Sequence, residues 1–185
     1  MTDYYRLFME LEIPGKWYLS DILGPNRKEV MPSTFNAGFP VDPIPGLTVI
    51  PNVTGNPIDF TLTTFQVPIV SSAFAEVVEA MDAEAIQRIP VTIFPSFTGF
   101  EILNVIRTVA CLDYEKSRFT TYGEYHPVEK QGKISAIVDL RILAEKAEGY
   151  HIFRLAEWIL AIIVSETLKN ALEKEGFIGM KFYPA

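Results

Sequence analysis

The sequence predicts an α+β fold, with an amphipathic middle helix and a long C-terminal helix packed on a mostly antiparallel sheet. Three observations lead to this prediction. Nine of the thirteen prolines lie in residues 1–70, where they exclude long helices. Apolar residues then take helical spacing after residue 72, and a second apolar stretch of helical character begins near residue 155.

The proline-rich half is expected to consist of loops and short strands. Pro-Gly pairs at residues 14–15 and 45–46 mark turns between them. Segments rich in aromatic and β-branched residues predict the early strands, which are Tyr4–Glu10, Trp17–Leu19, Leu47–Ile50 and Phe60–Phe65.

The middle helix follows Ser71 or Ser72, either of which is a suitable N-cap. Its apolar stripe has the spacing i, i+3, i+4, i+7, and its acidic residues should face water. The stripe consists of Phe74, Val77, Val78 and Met81, and the acidic residues are Glu76, Glu79 and Asp82.

Two β-rich segments come next, Ile86–Phe94 and Glu101–Leu112, with the turn-forming stretch Pro95–Gly99 between them. They predict an antiparallel pair. Residues 122–133 mix Gly, Pro and charges, which is typical of a surface loop, and a further strand, Ile134–Leu143, should follow.

The long C-terminal helix is predicted from about Leu155 through Leu172, apolar on nearly all sides as far as Val164. Gly176 is suited to the C′ position, where a positive φ ends a helix. A final strand, Met180–Tyr183, would pair with the sheet.

With 185 residues, 49% of them apolar, the chain can bury a substantial core. It shows no internal repeat or linker and is expected to be a single domain. Its β/loop half would span 1–70, and its helix, β-hairpin and C-terminal helix-strand half would span 71–185. No signal peptide or membrane-length apolar run is found, and the single Cys111 lies in an apolar run. A soluble cytoplasmic protein with a buried thiol is therefore expected.

The net charge of −7 narrows the choice of partner. Lysine and arginine form no basic stripe, so neither nucleic acid nor a membrane surface is expected to bind. A basic protein would be attracted by the same field, mainly through faster association. Acidity that merely keeps the chain soluble explains the charge equally well.

No motif for catalysis, cofactor binding or metal binding stands out. Glu148 and His151 have Glu-x-x-His spacing, but a di-iron bundle needs that motif twice on helices. Asp113 and Glu115 are more typical of a turn than of an acid-base pair. The nucleophile, phosphate-binding and redox signatures are all missing. We therefore expect no catalytic, cofactor or metal residues, and no enzymatic activity.

Aromatic residues make up 12% of the chain and favour a binding function, since tyrosine gives a large contact area for few frozen torsions. The surface loop combines tyrosines with acids. Its residues predicted to bind a partner are Tyr122, Glu124, Tyr125, His126 and Glu129. The alternative is that the loop only connects two strands and that its tyrosines pack on the sheet.

Fragments along nearly the whole chain, in the same order and with similar spacing, carry a resemblance to a known family. They are Tyr5-Arg6-Leu7, Pro14-Gly15-Lys16-Trp17-Tyr18-Leu19, Pro57-Ile58-Asp59-Phe60, Ile89-Pro90-Val91, Ile102-Leu103-Asn104-Val105, Asp139-Leu140-Arg141, Ile152-Phe153-Arg154, Val164-Ser165-Glu166 and Gly179-Met180-Lys181-Phe182. The chain resembles bacterial immunity proteins of polymorphic toxin systems, a family typified by myxobacterial members and formerly a domain of unknown function. The resemblance implies an immunity protein that binds and neutralises a cognate toxin stoichiometrically, without turnover.

Two other readings of the sequence remain open. One is a small hydrolase or transferase without a recognised motif, which a deep pocket with converging polar groups would favour. The other is a generic regulatory or scaffold protein. A neighbouring gene for a large modular protein with a variable C-terminal domain would favour immunity.

Overall fold

The computed structural model describes residues 3–185 and corrects the predicted fold class. Within this range the chain is mostly β, with thirteen strands in three sheets and three short α-helices. The strands are β1 (Tyr4–Met9), β2 (Tyr18–Leu23), β3 (Thr48–Val53), β4 (Phe60–Leu62), β5 (Pro68–Ser71), β6 (Ile86–Ile93), β7 (Phe97–Val105), β8 (Thr108–Val109), β9 (Arg118–Thr121), β10 (Ile134–Asp139), β11 (Ile152–Leu155), β12 (Ile162–Ser165) and β13 (Met180–Pro184). The helices are α1 (Ser33–Asn36), α2 (Ser72–Asp82) and α3 (Glu166–Lys174), and short 3-10 turns lie at Pro25–Arg27, Ala83–Ala85 and Ala144–Lys146.

The prediction of a long C-terminal helix is wrong. The apolar stretch that suggested it forms β11, a turn and β12, and α3 has only nine residues. Strand β12 is buried on both faces, with Ile162 and Val164 in one core and Ile163 in another. A strand covered on both faces is apolar at every position, so its periodicity does not distinguish it from a buried helix.

The middle helix is confirmed as α2. The Ser71 hydroxyl caps it by accepting a hydrogen bond from the Phe74 N–H at 3.3 Å. Phe74 and Val78 are fully buried, but Asp82 does not face water as predicted, because its carboxylate is largely buried against Arg107. Gly176 ends the C-terminal helix with a φ of +74°, as predicted for a C′ residue.

Most predicted strands are confirmed with shifted ends. The four early strands correspond to β1–β4, and β6 and β7 form the predicted antiparallel hairpin. Strand β13 pairs antiparallel with β1. The strand β5 was not predicted, because its four residues end at Ser71, the cap of α2, and are too few to show a period.

The two large sheets are both mixed. One has the order β2-β3-β6-β7-β5-β4 and the other the order β13-β1-β12-β11-β8. Each contains one parallel pair, β3 with β6 in the first and β8 with β11 in the second. The third sheet is the antiparallel pair β9 and β10, which we call the hairpin layer.

Three apolar cores hold these layers together. The first lies between the two large sheets, where α2 and α3 also contribute residues such as Phe74 and Leu168. The second fills the other face of the six-stranded sheet, where Trp17 and Phe35 are fully buried. The third lies between the five-stranded sheet and the hairpin layer, and includes Phe153 and Ile137. Both large sheets are therefore buried on two faces over part of their area.

Arg154 joins the two large sheets at a point that apolar packing does not fill. Its side chain is fully buried in β11. The guanidinium donates hydrogen bonds to the Val105 carbonyl at 3.0 Å and the Ile159 carbonyl at 2.9 Å. Weaker bonds reach the Phe35 carbonyl at 3.3 Å and Asn36 Oδ1 at 3.4 Å. Burial lowers the pKa of Arg154 to about 10, so the group is still charged at neutral pH.

A second polar junction lies at the C-terminal end of α2. The Asp82 carboxylate accepts hydrogen bonds from Arg107 at 2.5 Å and from the His151 N–H at 3.0 Å. The Tyr150 ring lies 4.6 Å from the Arg107 guanidinium and covers it. Burial alone would raise the pKa of Asp82, but these hydrogen bonds outweigh it and hold the pKa below its usual value of 3.8.

We expect Arg154→Met to lower the free energy of unfolding by about 2–4 kcal/mol, because it leaves buried carbonyls without donors. Urea denaturation measures the change. Arg118→Met is the control, since the Arg118 side chain is 76% exposed, and it should change stability by less than about 0.5 kcal/mol. Equal, small losses in both variants would contradict the role assigned to Arg154.

We expect Asp82→Asn to cost about 1–3 kcal/mol at neutral pH and to flatten the acid side of the stability profile. The pKa of Asp82 is lowered in the folded state, so its contribution is complete above pH 3.8 and is lost as the pH falls through the folded pKa. Thermal unfolding between neutral and acidic pH tests this. If both proteins lose stability equally on acidification, Asp82 is not the titrating group.

Candidate functional site

The predicted surface loop is confirmed as the tip of the hairpin layer. Residues 122–133, called the tip loop below, connect β9 to β10, and almost all of them are exposed. The base of the hairpin is anchored in the third core through Phe119 and Ile137. The fold therefore holds the tip loop in solvent at the end of a two-stranded arm.

Hydrogen bonds within the loop give it a defined shape. Its ends are tied by the Tyr122 N–H, which donates to the Lys133 carbonyl, and the Gly132 N–H, which donates to the Tyr122 carbonyl, both at 2.9 Å. The Gln131 side-chain amide donates to the Glu124 carbonyl at 3.1 Å and the His126 carbonyl at 2.8 Å. A binding loop that is ordered before contact loses less conformational entropy on binding.

The five residues predicted to bind a partner all lie in this loop, but they differ in their contacts and exposure. The Tyr122 and His126 rings pack edge to face at 4.9 Å, and the Lys130 ammonium lies 5.8 Å from the Tyr122 ring. These two aromatic residues therefore shape the loop. Tyr125 is fully exposed, and the exposed residues Glu124 and Glu129 form no ion pair within the described residues.

Val128 belongs to the same surface and was not predicted. It is 82% exposed, three residues beyond the fully exposed Tyr125. The sequence did offer one indication that Val128 is exposed, since it is an apolar residue next to Pro127 in a charged loop. Tyr125 and Val128 are therefore two exposed apolar side chains in a loop that also carries exposed acids.

One cluster outside the loop brings together the residue types of a hydrolase. His151 Nδ1 lies 2.8 Å from the Ser165 hydroxyl oxygen, and Asp82 contacts His151. Asp82, however, accepts from the His151 main chain and not from its ring. Ser165 is 1% exposed and already caps α3 by accepting from the Leu168 N–H. This geometry joins secondary-structure elements and does not form a catalytic triad.

Asp113 and Glu115, the two carboxylates considered in the sequence, lie in one turn but differ in burial. Asp113 is buried and accepts hydrogen bonds from the Glu115 and Lys116 N–H groups at 3.1 and 3.0 Å, so it shapes a turn. Glu115 itself is exposed. Cys111 is fully buried, and burial raises the pKa of its thiol to about 12, which suppresses nucleophilic reactivity.

A cavity of about 620 Å³ lies at the β2, β3 and β6 end of the six-stranded sheet, on the face opposite the second core. Its walls are formed by side chains of β2, β3 and β6, together with Phe94 and Pro95. Asp21 and Arg27 are the only charged residues among its lining residues. It therefore offers no paired acid and base of the kind that a hydrolase needs.

The described part of the chain contains neither a cluster of metal-binding side chains nor a membrane-spanning helix. No group of three or more His, Cys, Asp and Glu side chains lies close enough to hold a metal ion among residues 3–185. No helix in that range has the length and apolar character to cross a membrane.

Comparison with known proteins gives the family directly. The family model described as "Immunity protein family (Imm11)" matches residues 20–185, which is most of the chain. A search of curated proteins found no match. The matched range covers both large sheets except β1 and part of β2, and it includes the whole hairpin layer. The chain belongs to the Imm11 immunity protein family.

Proposed function

We propose that this chain neutralises a cognate toxin by binding it stoichiometrically in the cytoplasm, without catalysis of its own. Membership of an immunity protein family supports a toxin as the partner. The observation that carries the binding mode is the tip loop, which presents fully exposed Tyr125 and Val128 on a hydrogen-bonded frame. An ordered, exposed aromatic residue is typical of an interface hot spot.

The proposal assigns separate tasks to the loop residues. Tyr125 and Val128 would be buried against the toxin, and the Glu124 and Glu129 carboxylates would attract a basic surface on it. Tyr122 and His126 would keep the loop in its binding shape through their ring contact. Gln131 donates to the Glu124 and His126 carbonyls and not to a carboxylate. Since neither Glu124 nor Glu129 forms an ion pair within residues 3–185, both carboxylates are available to a partner.

We also propose that the chain acts as one folding unit. The first core draws residues from both large sheets, such as Val164 from one and Leu103 from the other. Arg154 adds hydrogen bonds across the same boundary. The third core joins the hairpin layer to the five-stranded sheet through Ile137 and Phe153. A toxin bound at the tip loop would therefore contact a rigid body.

The test of the proposed function is co-expression with the toxin encoded beside this chain, scoring cell survival and co-purification. Titration of the purified toxin should then reduce its activity linearly, with full inhibition at an equimolar ratio. Inactivation of excess toxin by a small amount of this chain would show catalysis and contradict the proposal. Survival without any complex would contradict it as well.

We expect the double variant Glu124→Lys, Glu129→Lys to associate with the toxin more slowly and with a weaker dependence on salt. Stopped-flow or surface plasmon resonance at several salt concentrations measures this. The matched control is Glu84→Lys, Glu175→Lys, which changes the net charge equally at two exposed acids outside the loop. Equal slowing in both double variants would assign the effect to net charge and not to the loop.

We expect Tyr125→Ala to act mainly on dissociation and to weaken the complex by about 2 kcal/mol or more. The folded state should keep its stability, since the Tyr125 side chain is fully exposed. Phe39→Ala, which removes another exposed aromatic ring, is the control and should leave the dissociation rate unchanged. An unchanged rate for folded Tyr125→Ala would remove the loop from the interface.

A further inference from the structure

A cavity of about 380 Å³ lies where the hairpin layer meets the edge of the five-stranded sheet. Residues of β1, β10 and β13 line it, among them Arg6, Phe8, Val138, Asp139, Arg141 and Tyr183. We call it the arginine cavity. The hairpin layer covers the beginning of β1, where Tyr4 is buried in the third core, and leaves Arg6 partly buried beside Phe8, which packs against the first core.

Arg6 is held in this cavity by aromatic rings and not by an anion. Its guanidinium carbon lies 5.0 Å from the centre of the Phe8 ring and 4.8 Å from that of the Trp158 ring. Within residues 3–185 the guanidinium makes no hydrogen bond and no ion pair, whereas the Arg6 main chain lies in the sheet between β12 and β13. Burial lowers the pKa of Arg6. A planar guanidinium fixed between rings keeps its N–H fork available for a carboxylate.

The other charged groups in the cavity already have partners. Arg141 donates to the Leu140 and Pro184 carbonyls at 2.8 Å and pairs with Asp139 at 3.1 Å. Asp139 is also near Arg118, at 3.9 Å. The two arginines of the cavity therefore face one carboxylate, and this recess is locally positive on a chain of net charge −7.

The arginine cavity and the tip loop lie at opposite ends of the same strand. Strand β10 runs from the tip loop to Asp139, so one hairpin edge links Val128 to the cavity wall. Val138, on that wall, is 74% exposed, and Tyr183 on the opposite wall is 44% exposed. A protein that contacts the tip loop and lies along the hairpin would cover the cavity mouth with apolar contacts on both sides.

We propose that the arginine cavity receives a glutamate or aspartate side chain of the toxin, held by the Arg6 guanidinium. This inference rests on the proposed toxin-binding function and names a second contact for it. The acidic tip loop would accelerate the encounter, and Arg6 would fix the register of the bound complex through a shielded charge pair.

The first arm of the test needs no toxin. Acetyl-Gly-Glu-Gly-amide is titrated into the protein up to tens of millimolar while NMR follows the arginine Nε–Hε signals. The Arg6 signal should shift saturably with this peptide, should not shift with acetyl-Gly-Gln-Gly-amide, and should be absent from Arg6→Lys. No saturable shift of Arg6 would overturn the inference.

The second arm measures affinity for the toxin with Arg6→Lys, which keeps the charge but loses the fork, and with Arg6→Met. We expect each to weaken binding by about 30-fold or more, mainly through faster dissociation. Thermal unfolding checks that each variant is folded. Arg27→Gln, which removes a charge outside the cavity lining, is the control and should bind normally.

The outcomes separate the two proposals. A toxin that binds the wild type and both folded Arg6 variants equally would overturn the cavity inference and leave the proposed function standing. A shift with the peptide in the absence of any effect on toxin affinity would identify a free carboxylate as the ligand and overturn the proposed occupant. Restoration of Arg6→Glu binding by one Asp→Lys or Glu→Lys change in the toxin would identify the paired residue. If the toxin does not bind the wild type, both the proposed toxin neutralisation and the proposed occupant of the cavity are overturned.

Discussion

The hydrogen bonds of the buried Arg154 guanidinium link the two large sheets, from β11 of one to β7 of the other. A buried cation without a carboxylate is costly unless carbonyl dipoles replace its hydration shell. Here the acceptors come from β7, from the turn before β12 and from α1, three segments far apart in the sequence. Their relative positions must be correct before the charge is solvated, so this side chain couples the packing of one sheet to that of the other.

The parts of the fold that the sequence predicts well are those whose signals are local. Ser71 and the stripe beginning at Phe74 specify α2 because a cap and a helical period act within a few residues. The hairpin of β6 and β7 follows from two β-rich segments around a short turn. The C-terminal stretch fails for the opposite reason. Whether Ile162 and Ile163 lie in a helix or in a strand covered on both faces depends on layers supplied by distant residues.

In the candidate site, too, the features set by local sequence are predictable and those that depend on distant residues are not. Glycine, proline and charge were enough to place residues 122–133 in a surface loop. The sequence does not predict that Tyr122 packs against His126 whereas Tyr125 is exposed. This difference depends on which tyrosine ring contacts His126 once the loop is closed. Nothing in the sequence around Arg6 marked it as a binding residue, because it lies in a strand of ordinary composition. Its environment is made by Trp158 and by the end of the hairpin layer, both more than a hundred residues away in sequence.

The position of the tip loop outside all three cores has an evolutionary consequence. The tip loop closes on itself through main-chain bonds between Tyr122 and its neighbours across the hairpin, and it lends no residue to the first or second core. Substitutions, insertions and deletions between those closing bonds therefore leave the stability of the scaffold nearly untouched. When the partner protein changes, substitutions confined to this short loop can follow it. The three sheets remain under the same selection for packing.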